Sequence, residues 1–116
     1  MPTMSLTRYE RSLQIWTLLV CAAREPKCFT YGDVAGAIGM KGAGVMSSFL
    51  EPAMLYCESN GYPPLTVLVV NRDTELPGDG LSTSRDPTAD RERVFRFDWF
   101  AGSPPESKDF KDAMGS

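Results

Sequence analysis

The longest regular pattern of hydrophobic positions lies near the N-terminus. Between about Leu6 and Arg24, apolar side chains recur every three or four residues, the period of one face of an amphipathic helix. These positions are Leu6, Tyr9, Leu13, Trp16, Val20 and Ala23. Thr7 and Glu10 have the spacing of a capping box at the start of this helix, and Pro26 marks its end. We predict a scaffold helix whose aromatic residues belong to the core.

A second, shorter helix is predicted where the sequence reads TYGDVAGAIG. Thr30 fits the N-cap position, Asp33 completes a pair like a capping box, and Gly39 ends the helix. Its small residues would allow another helix to approach closely, as the first helix of a helix-turn-helix must. Tyr31 is expected either to pack on the wing predicted further along the chain, which we favour slightly, or to contact phosphate.

A third helix is predicted from about Lys41 to the turn at Asn60 and Gly61, with Pro52 expected to kink or restart it. Its first turns expose backbone amides, serine hydroxyls and one lysine, all of which suit phosphate. These exposed positions are Lys41, Gly42, Gly44, Ser47, Ser48 and Glu51. Arginine, asparagine and glutamine are absent from them, so bidentate reading of bases is not expected. Tight helix packing explains the same glycines and serines equally well.

The second half of the chain predicts a small β-wing. The β-branched run from Leu65 to Asn71 indicates a buried strand, and residues 73–80 have the Gly, Pro and Asp content of a turn. Arg72 lies at the base of this turn and is the best phosphate contact of the predicted wing. Further on, Asp86 and Pro87 are suited to the cap and first position of a helix. Residues 94–100 fit either a helix or a strand, and we favour a closing strand or a chain end laid over the core.

Length and composition indicate one domain. The chain has 116 residues, of which 42% are hydrophobic, enough for a single compact core. We assign residues 1–101 to this domain, with an α+β fold of the winged helix-turn-helix kind, mostly helical with a small β-wing. Residues 102–116 are rich in Gly, Ser, Pro and charge and are predicted to form a flexible tail.

The absence of histidine narrows the chemistry. Histidine is the usual general base and the commonest metal ligand, and the sequence contains none. The acidic residues are scattered rather than clustered for a metal. Cys21, Cys28 and Cys57 show no CxxC spacing and are expected to be reduced and mostly buried. We therefore expect neither an enzyme nor a cofactor.

The charge is unevenly distributed. The net charge is −3, which argues against a general nucleic-acid coat. Residues 1–50 carry five basic and three acidic side chains, whereas residues 51–100 carry five basic and nine acidic ones. In this second half, Arg91, Arg93 and Arg96 alternate with acidic residues, which favours a solvated mixed-charge face. The first half is therefore the better candidate for a DNA-binding face.

No run of apolar residues approaches the roughly 18 needed for a membrane span, and the N-terminus does not have the pattern of a secretory leader. We expect a cytoplasmic protein without a membrane partner.

The segment TYGDVAGAIG, the small-residue helix, the proline-led run VLVVN and the following Gly/Pro turn resemble the C-terminal DNA-binding domain of alkylguanine-DNA alkyltransferases and alkyltransferase-like proteins. The resemblance covers roughly residues 9–80, and its YGxxA segment is the most specific part. It implies a winged helix, and a role for Tyr31 in DNA binding and nucleotide flipping.

Two departures from that family bear on function. After the matching proline the family has Cys-His-Arg or Trp-His-Arg, whereas Leu65, Thr66 and Val67 follow Pro64 here. The arginine finger of the family falls at Gly44 or Val45. Alkyl transfer is therefore not expected.

Two functions fit the sequence. The first is a non-enzymatic DNA-binding protein that grips the backbone through Tyr31, Lys41, Gly42, Ser47, Ser48 and Arg72 with little base specificity. The second is a protein-interaction module, such as an adaptor, an inhibitor or a phage or defence-system component. Its acidic surface would meet a basic protein partner through Glu51, Glu58, Asp73, Glu75 and Asp79. We favour DNA, and the oligomeric state stays open.

Overall fold

The computed structural model describes residues 6–40, 46–74 and 86–115. Within these ranges the chain is mostly helical with one two-stranded parallel sheet, which is compatible with the α+β class. The elements are α1 (Arg8–Arg24), β1 (Phe29–Thr30), α2 (Tyr31–Ala37), α3 (Met46–Ser59), a 3-10 helix (Leu65–Leu68), β2 (Val69–Val70), α4 (Pro87–Arg96) and α5 (Ser107–Ala113).

Helix α1 has the start that the sequence predicts. The Thr7 hydroxyl accepts a hydrogen bond from the Glu10 amide at 3.1 Å, and the Glu10 carboxylate accepts one from the Thr7 amide at 2.8 Å. This reciprocal pair is a capping box, so the prediction is confirmed. The buried face of α1 consists of Ser12, Ile15, Trp16, Leu19, Val20, Ala22 and Ala23.

Because the Thr7 hydroxyl satisfies an otherwise unpaired amide of α1, Thr7→Ala should lower the free energy of unfolding by about 1 kcal/mol. Thr17→Ala is the matched control, since Thr17 is exposed in the middle of the same helix and bonds only the Leu13 carbonyl. It should change stability by less than about 0.5 kcal/mol. Urea denaturation of both variants checks this; equal losses would show that the cap contributes nothing.

Helix α2 also begins with the predicted cap. The Thr30 hydroxyl accepts from the Asp33 amide at 3.0 Å, and the Asp33 carboxylate accepts from the Thr30 amide at 3.1 Å. The helix ends before Gly39, whose φ of 77° lies in the left-handed region that favours glycine. Arg11 of α1 donates to the Ile38 carbonyl at 2.7 Å and thereby ties the end of α2 to α1.

Helices α1 and α3 pack side by side and run in the same direction. Near the start of α1, the fully buried Ser12 donates to the Phe49 carbonyl at 2.7 Å. One turn later, the ring of Trp16 lies 5.2 Å from the ring of Tyr56. The small serine side chain allows the close approach, and its hydroxyl finds a partner across the interface.

Helix α3 continues through Pro52, so the predicted restart is not observed. Proline has no amide hydrogen to donate to the carbonyl four residues earlier, which belongs to Ser48. Arg8 of α1 donates its Nε–H to this carbonyl instead, and its guanidinium also lies 3.5 Å from the Glu51 carboxylate. A side chain from the neighbouring helix thus replaces the missing hydrogen bond.

The segment predicted as a strand over residues 65–71 is mostly not a strand. It forms the 3-10 helix Leu65–Leu68 and only then the two-residue β2, which pairs in parallel with β1. Residues 65–70 are all buried, because α1, α3 and α4 surround them. A run that is buried on every side shows no periodicity from which strand and helical turn could be distinguished.

Helix α4 begins as predicted, with the Asp86 carboxylate accepting from the Thr88 and Ala89 amides at 3.1 and 3.2 Å. No closing strand forms over residues 94–100, because α4 extends to Arg96 and turns follow it; of the favoured alternatives, the chain laid over the core is closer, since Trp99 packs against the core. The Trp99 indole donates to the Val94 carbonyl at 2.9 Å, which folds the following segment back onto α4.

The C-terminal region differs from the flexible tail predicted for residues 102–116. Residues 107–113 form α5, which packs against α1 and α3. Its Phe110 is fully buried and lies 5.7 Å from Trp16 and 5.3 Å from Tyr56, measured between ring centroids. One apolar residue in a polar segment was too weak a signal to predict this contact, although it anchors the helix to the core.

The winged-helix arrangement stays a prediction. Most of the predicted wing, residues 75–80, lies outside the described residues. The strands that are described join distant segments in parallel, with Phe29 opposite Val69 and Thr30 opposite Val70. Helix α2 packs mainly on these strands, whereas α3 packs mainly on α1 and α5.

Candidate functional site

A basic depression of about 300 Å³ lies where the two strands end. It contains two arginines that come from different elements, together with an amide, a hydroxyl and a thiol. Its lining residues are Cys28, Thr30, Val70, Asn71, Arg72 and Arg91, and we call it the arginine depression.

The parallel register explains why these groups meet. Thr30 is the last residue of β1 and stands opposite Val70, the last residue of β2. The two strands therefore end at the same edge of the sheet. Tyr31 follows the first strand there, and Arg72 lies two residues beyond the end of the second. Tyr31 and Arg72, far apart in sequence, are in this way brought to one edge of the fold. Arg72 is exposed there, and Tyr31 is half-buried against the core.

Arg91 reaches the depression from α4 and was not among the predicted site residues. In sequence it belongs to a mixed-charge run and was expected on a solvated face, but it is half-buried. It lies three residues before the fully buried Val94, and positions three apart share a helix face. The three-residue spacing between Arg91 and Val94 was the sequence signal that could have placed Arg91 on the packed face of α4.

The other two arginines of the run are paired with acids of their own helix. Arg93 forms an ion pair with Asp90, which is fully buried, and Arg96 lies 3.6 Å from Glu92. Both arginines line a different depression. The sequence run therefore divides between two surfaces rather than forming one patch.

Both basic and acidic side chains lie in or near the arginine depression. Of the residues that the structure describes, two guanidinium groups line it and no carboxylate does. Asp33 caps α2 next to Thr30, and Asp73 follows Arg72 in the chain. An anion bound between the arginines makes two charge-assisted contacts. The nearby acidic side chains weaken this attraction but do not abolish it.

The remaining predicted site residues lie at the start of α3 or outside the described residues. Ser47 and Ser48 are exposed in the first turn of α3, and the carbonyl of Ser48 accepts from Arg8. Lys41 and Gly42 lie outside the described residues. The described contacts do not join the serines to the arginine depression.

The described residues show neither a metal site nor a membrane span. They contain no group of three or more cysteine, aspartate or glutamate side chains placed to hold a metal ion. The helices formed by these residues are each too short or too polar to cross a lipid bilayer.

The thiols are less uniformly buried than predicted. All three cysteines lie in the described ranges; Cys57 is buried and Cys28 is half-buried, but Cys21 is exposed. Cys21 follows two buried residues of α1, and one further step of about 100° around the helix carries its side chain out of the core.

Comparisons with known proteins leave the geometry as the only guide to function. Neither a scan against models of protein families nor searches of curated proteins and of solved structures found a match to this chain.

Proposed function

We propose that this protein is a non-enzymatic DNA-binding protein that grips the phosphate backbone with little base specificity. The observation that carries the proposal is the pair of arginines, Arg72 after β2 and Arg91 on α4, that line one depression with the Thr30 hydroxyl and the Asn71 amide. Guanidinium groups match phosphate geometry, and hydroxyl and amide donors complete such a contact.

Low base specificity follows from the kinds of groups available. The candidate contacts are the two arginines of the depression, the half-buried Tyr31 that follows β1, and serines at the start of α3. Phosphate contacts position a protein on DNA without reading its sequence. Lys41 and Gly42, beyond the described residues, remain proposed backbone contacts. A winged-helix fold like that of the alkyltransferase-like proteins, and a cytoplasmic location, belong to the same proposal.

The test is a pair of glutamine substitutions at the depression. Removing both charges, Arg72→Gln with Arg91→Gln, should weaken binding to a random-sequence duplex by about tenfold or more. It should also reduce the slope of log affinity against log salt by roughly 2, because two phosphate contacts are lost. Fluorescence anisotropy of a labelled duplex measures both quantities.

Arg96→Gln is the matched control. It removes the same charge from α4, but Arg96 lines another depression and should leave affinity nearly unchanged. The single variant Arg72→Gln controls for misfolding of the double variant, because Arg72 is exposed and its replacement should not disturb the fold. Equal weakening by Arg72→Gln and Arg96→Gln would indicate only a general charge effect and would contradict the assigned site.

The protein-interaction alternative predicts a different pattern. Its proposed acidic surface includes Glu51, Glu58 and Asp73, which are exposed, whereas Glu75 and Asp79 lie outside the described residues. It predicts no DNA affinity at moderate salt and binding to a basic protein partner that charge reversal at Glu58 and Asp73 abolishes.

A further inference from the structure

Four aromatic rings form a closed cycle of contacts that involves the middle of α1. Trp16 meets Tyr56, Tyr56 meets Tyr62, Tyr62 meets Trp99, and Trp99 returns to Trp16, with centroid distances of 5.2, 6.1, 6.1 and 5.6 Å. The planes of neighbouring rings meet at 84°, 74°, 86° and 85°. Near-perpendicular neighbours around a closed cycle are arranged like the four walls of a box, and we call this set the aromatic box.

Two further rings adjoin the box from opposite sides. The buried Phe110 contacts Trp16 and Tyr56, and Phe97 contacts the other two walls with centroid distances of 5.1 and 4.5 Å. A cavity of about 260 Å³ is bordered by all four walls and Phe97. Its rim is completed by Asp98, Ala101, Gly102, Ser103 and Pro105.

The charge at the cavity is acidic. Among the residues described in the structure, Asp98 is the one ionisable side chain other than tyrosine that lines it. A second carboxylate, that of Asp109, is close enough to act on Tyr56: burial raises the pKa of that tyrosine, and the neighbouring Tyr62 and Asp109 raise it further.

The basic groups nearby lie in the adjoining depression rather than in this cavity. Arg93 and Arg96 line that depression, which shares Tyr62 and Phe97 with the cavity. Each is already engaged by an acid of α4, as described above. A cation in the cavity therefore meets the Asp98 carboxylate and, within the part of the lining that the structure describes, no basic residue.

We propose that the aromatic box is a binding site for a methylated ammonium group. Aromatic faces attract a cation within roughly 6 Å of the ring centroid, and all four rings line the same cavity, so that a group bound in the cavity can contact several of them. Methylated ammonium groups fit best because they keep their charge but have lost most hydrogen-bonded water. The Asp98 carboxylate balances that charge at the rim.

This chemistry has two natural sources, a free quaternary ammonium compound and a trimethylated lysine side chain. The proposal is independent of DNA binding, because the box and the arginine depression share no residue. Failure of either proposal leaves the other unaffected.

Intrinsic fluorescence reads this site directly, because both tryptophans of the chain are walls of the box. Choline, titrated at constant ionic strength, should produce a saturable change in tryptophan emission. Its neutral isostere 3,3-dimethylbutan-1-ol has the same shape without the charge and should bind about tenfold more weakly. Equal binding of the two compounds would show a merely apolar cavity, and no saturable change with choline or with a trimethyllysine peptide would overturn the proposal.

Two variants separate cation recognition from packing. Tyr62→Leu keeps an apolar wall but removes its π face, and should weaken choline binding by about tenfold while the isostere is unaffected. Asp98→Asn should weaken it severalfold, whereas Asp112→Asn, the same change on the exposed face of α5, should not. If Tyr62→Leu retains full choline affinity and a wild-type melting temperature, the box is not the site.

A pair of peptides distinguishes the two sources. A trimethyllysine peptide that binds more tightly than choline, with its unmodified lysine counterpart at least about tenfold weaker, identifies a modified protein as the ligand. Choline binding without peptide binding identifies a free quaternary ammonium compound.

Discussion

Phe110→Ala should lower the free energy of unfolding by about 3–5 kcal/mol, the usual range for truncating a buried phenylalanine. Phe110 is fully buried, and its ring contacts those of Trp16 and Tyr56. Its loss opens a cavity and releases α5 from α1 and α3. Small domains are stable by only about 5–15 kcal/mol, so the variant should be close to unfolding at ordinary temperature. Urea denaturation followed by tryptophan fluorescence measures the change.

Phe100→Ala is its matched control. The Phe100 side chain is 60% exposed and has the Arg24 guanidinium 5.2 Å from its ring centroid. Its removal should cost less than about 1 kcal/mol. If Phe110→Ala were as mild as Phe100→Ala, α5 would be dispensable for the core and the sequence-based description of a flexible tail would stand.

Alkaline solution should destabilise the protein through Cys57. Burial raises the pKa of this thiol from 9.0 to about 12, against a smaller opposing effect of the Leu65 amide. The raised pKa means that the unfolded chain releases the proton first. The contribution of Cys57 to stability is therefore complete below pH 9 and is lost as the pH rises from 9 towards 12. The loss approaches about 1.4 kcal/mol per pH unit, or about 4 kcal/mol over the whole window.

Comparing the pH dependence of wild type with that of Cys57→Ala isolates this contribution, because the other titrating groups are common to these two proteins. Cys57→Ala should lose less stability than wild type between pH 9 and pH 11, whereas Cys21→Ala should follow the wild-type curve, since Cys21 is exposed. Parallel curves for wild type and Cys57→Ala would show that the thiol does not titrate differently on folding.

The features that the sequence predicted correctly depend on residues close together in the chain. The capping boxes of α1 and α2 each join residues three apart, and the turn at Gly61, with φ of 70°, follows α3 as expected. Local hydrogen bonds and backbone preferences fix these points regardless of the rest of the fold.

The errors arose where distant residues decide the local structure. Pro52 is accommodated because Arg8, far away in sequence, donates to the carbonyl that proline leaves without a partner. The run from Leu65 is a 3-10 helix because helices enclose it on all sides. Residues 107–113 form a helix on the core because Phe110 packs against aromatic rings of two other elements. No pattern within those segments contains this information.

The candidate sites show the same difference between features set by nearby residues and features set by distant ones. Arg72 and Tyr31 were selected for their own chemistry, and the parallel register then places them at one edge. Arg91 joins them only through the packing of α4, and the aromatic box gathers Trp16, Tyr62 and Trp99 from three separate parts of the chain. Aromatic residues predicted as plain core can thus also line a cavity, and only the fold shows it.

Titration of a labelled random-sequence duplex over a salt series tests most directly whether this protein binds the DNA backbone. Binding should have a dissociation constant of roughly 10⁻⁴–10⁻⁶ M at physiological salt and weaken linearly in log salt, because each phosphate contact releases counterions. Anisotropy that stays flat even at the lowest salt would contradict the proposed function.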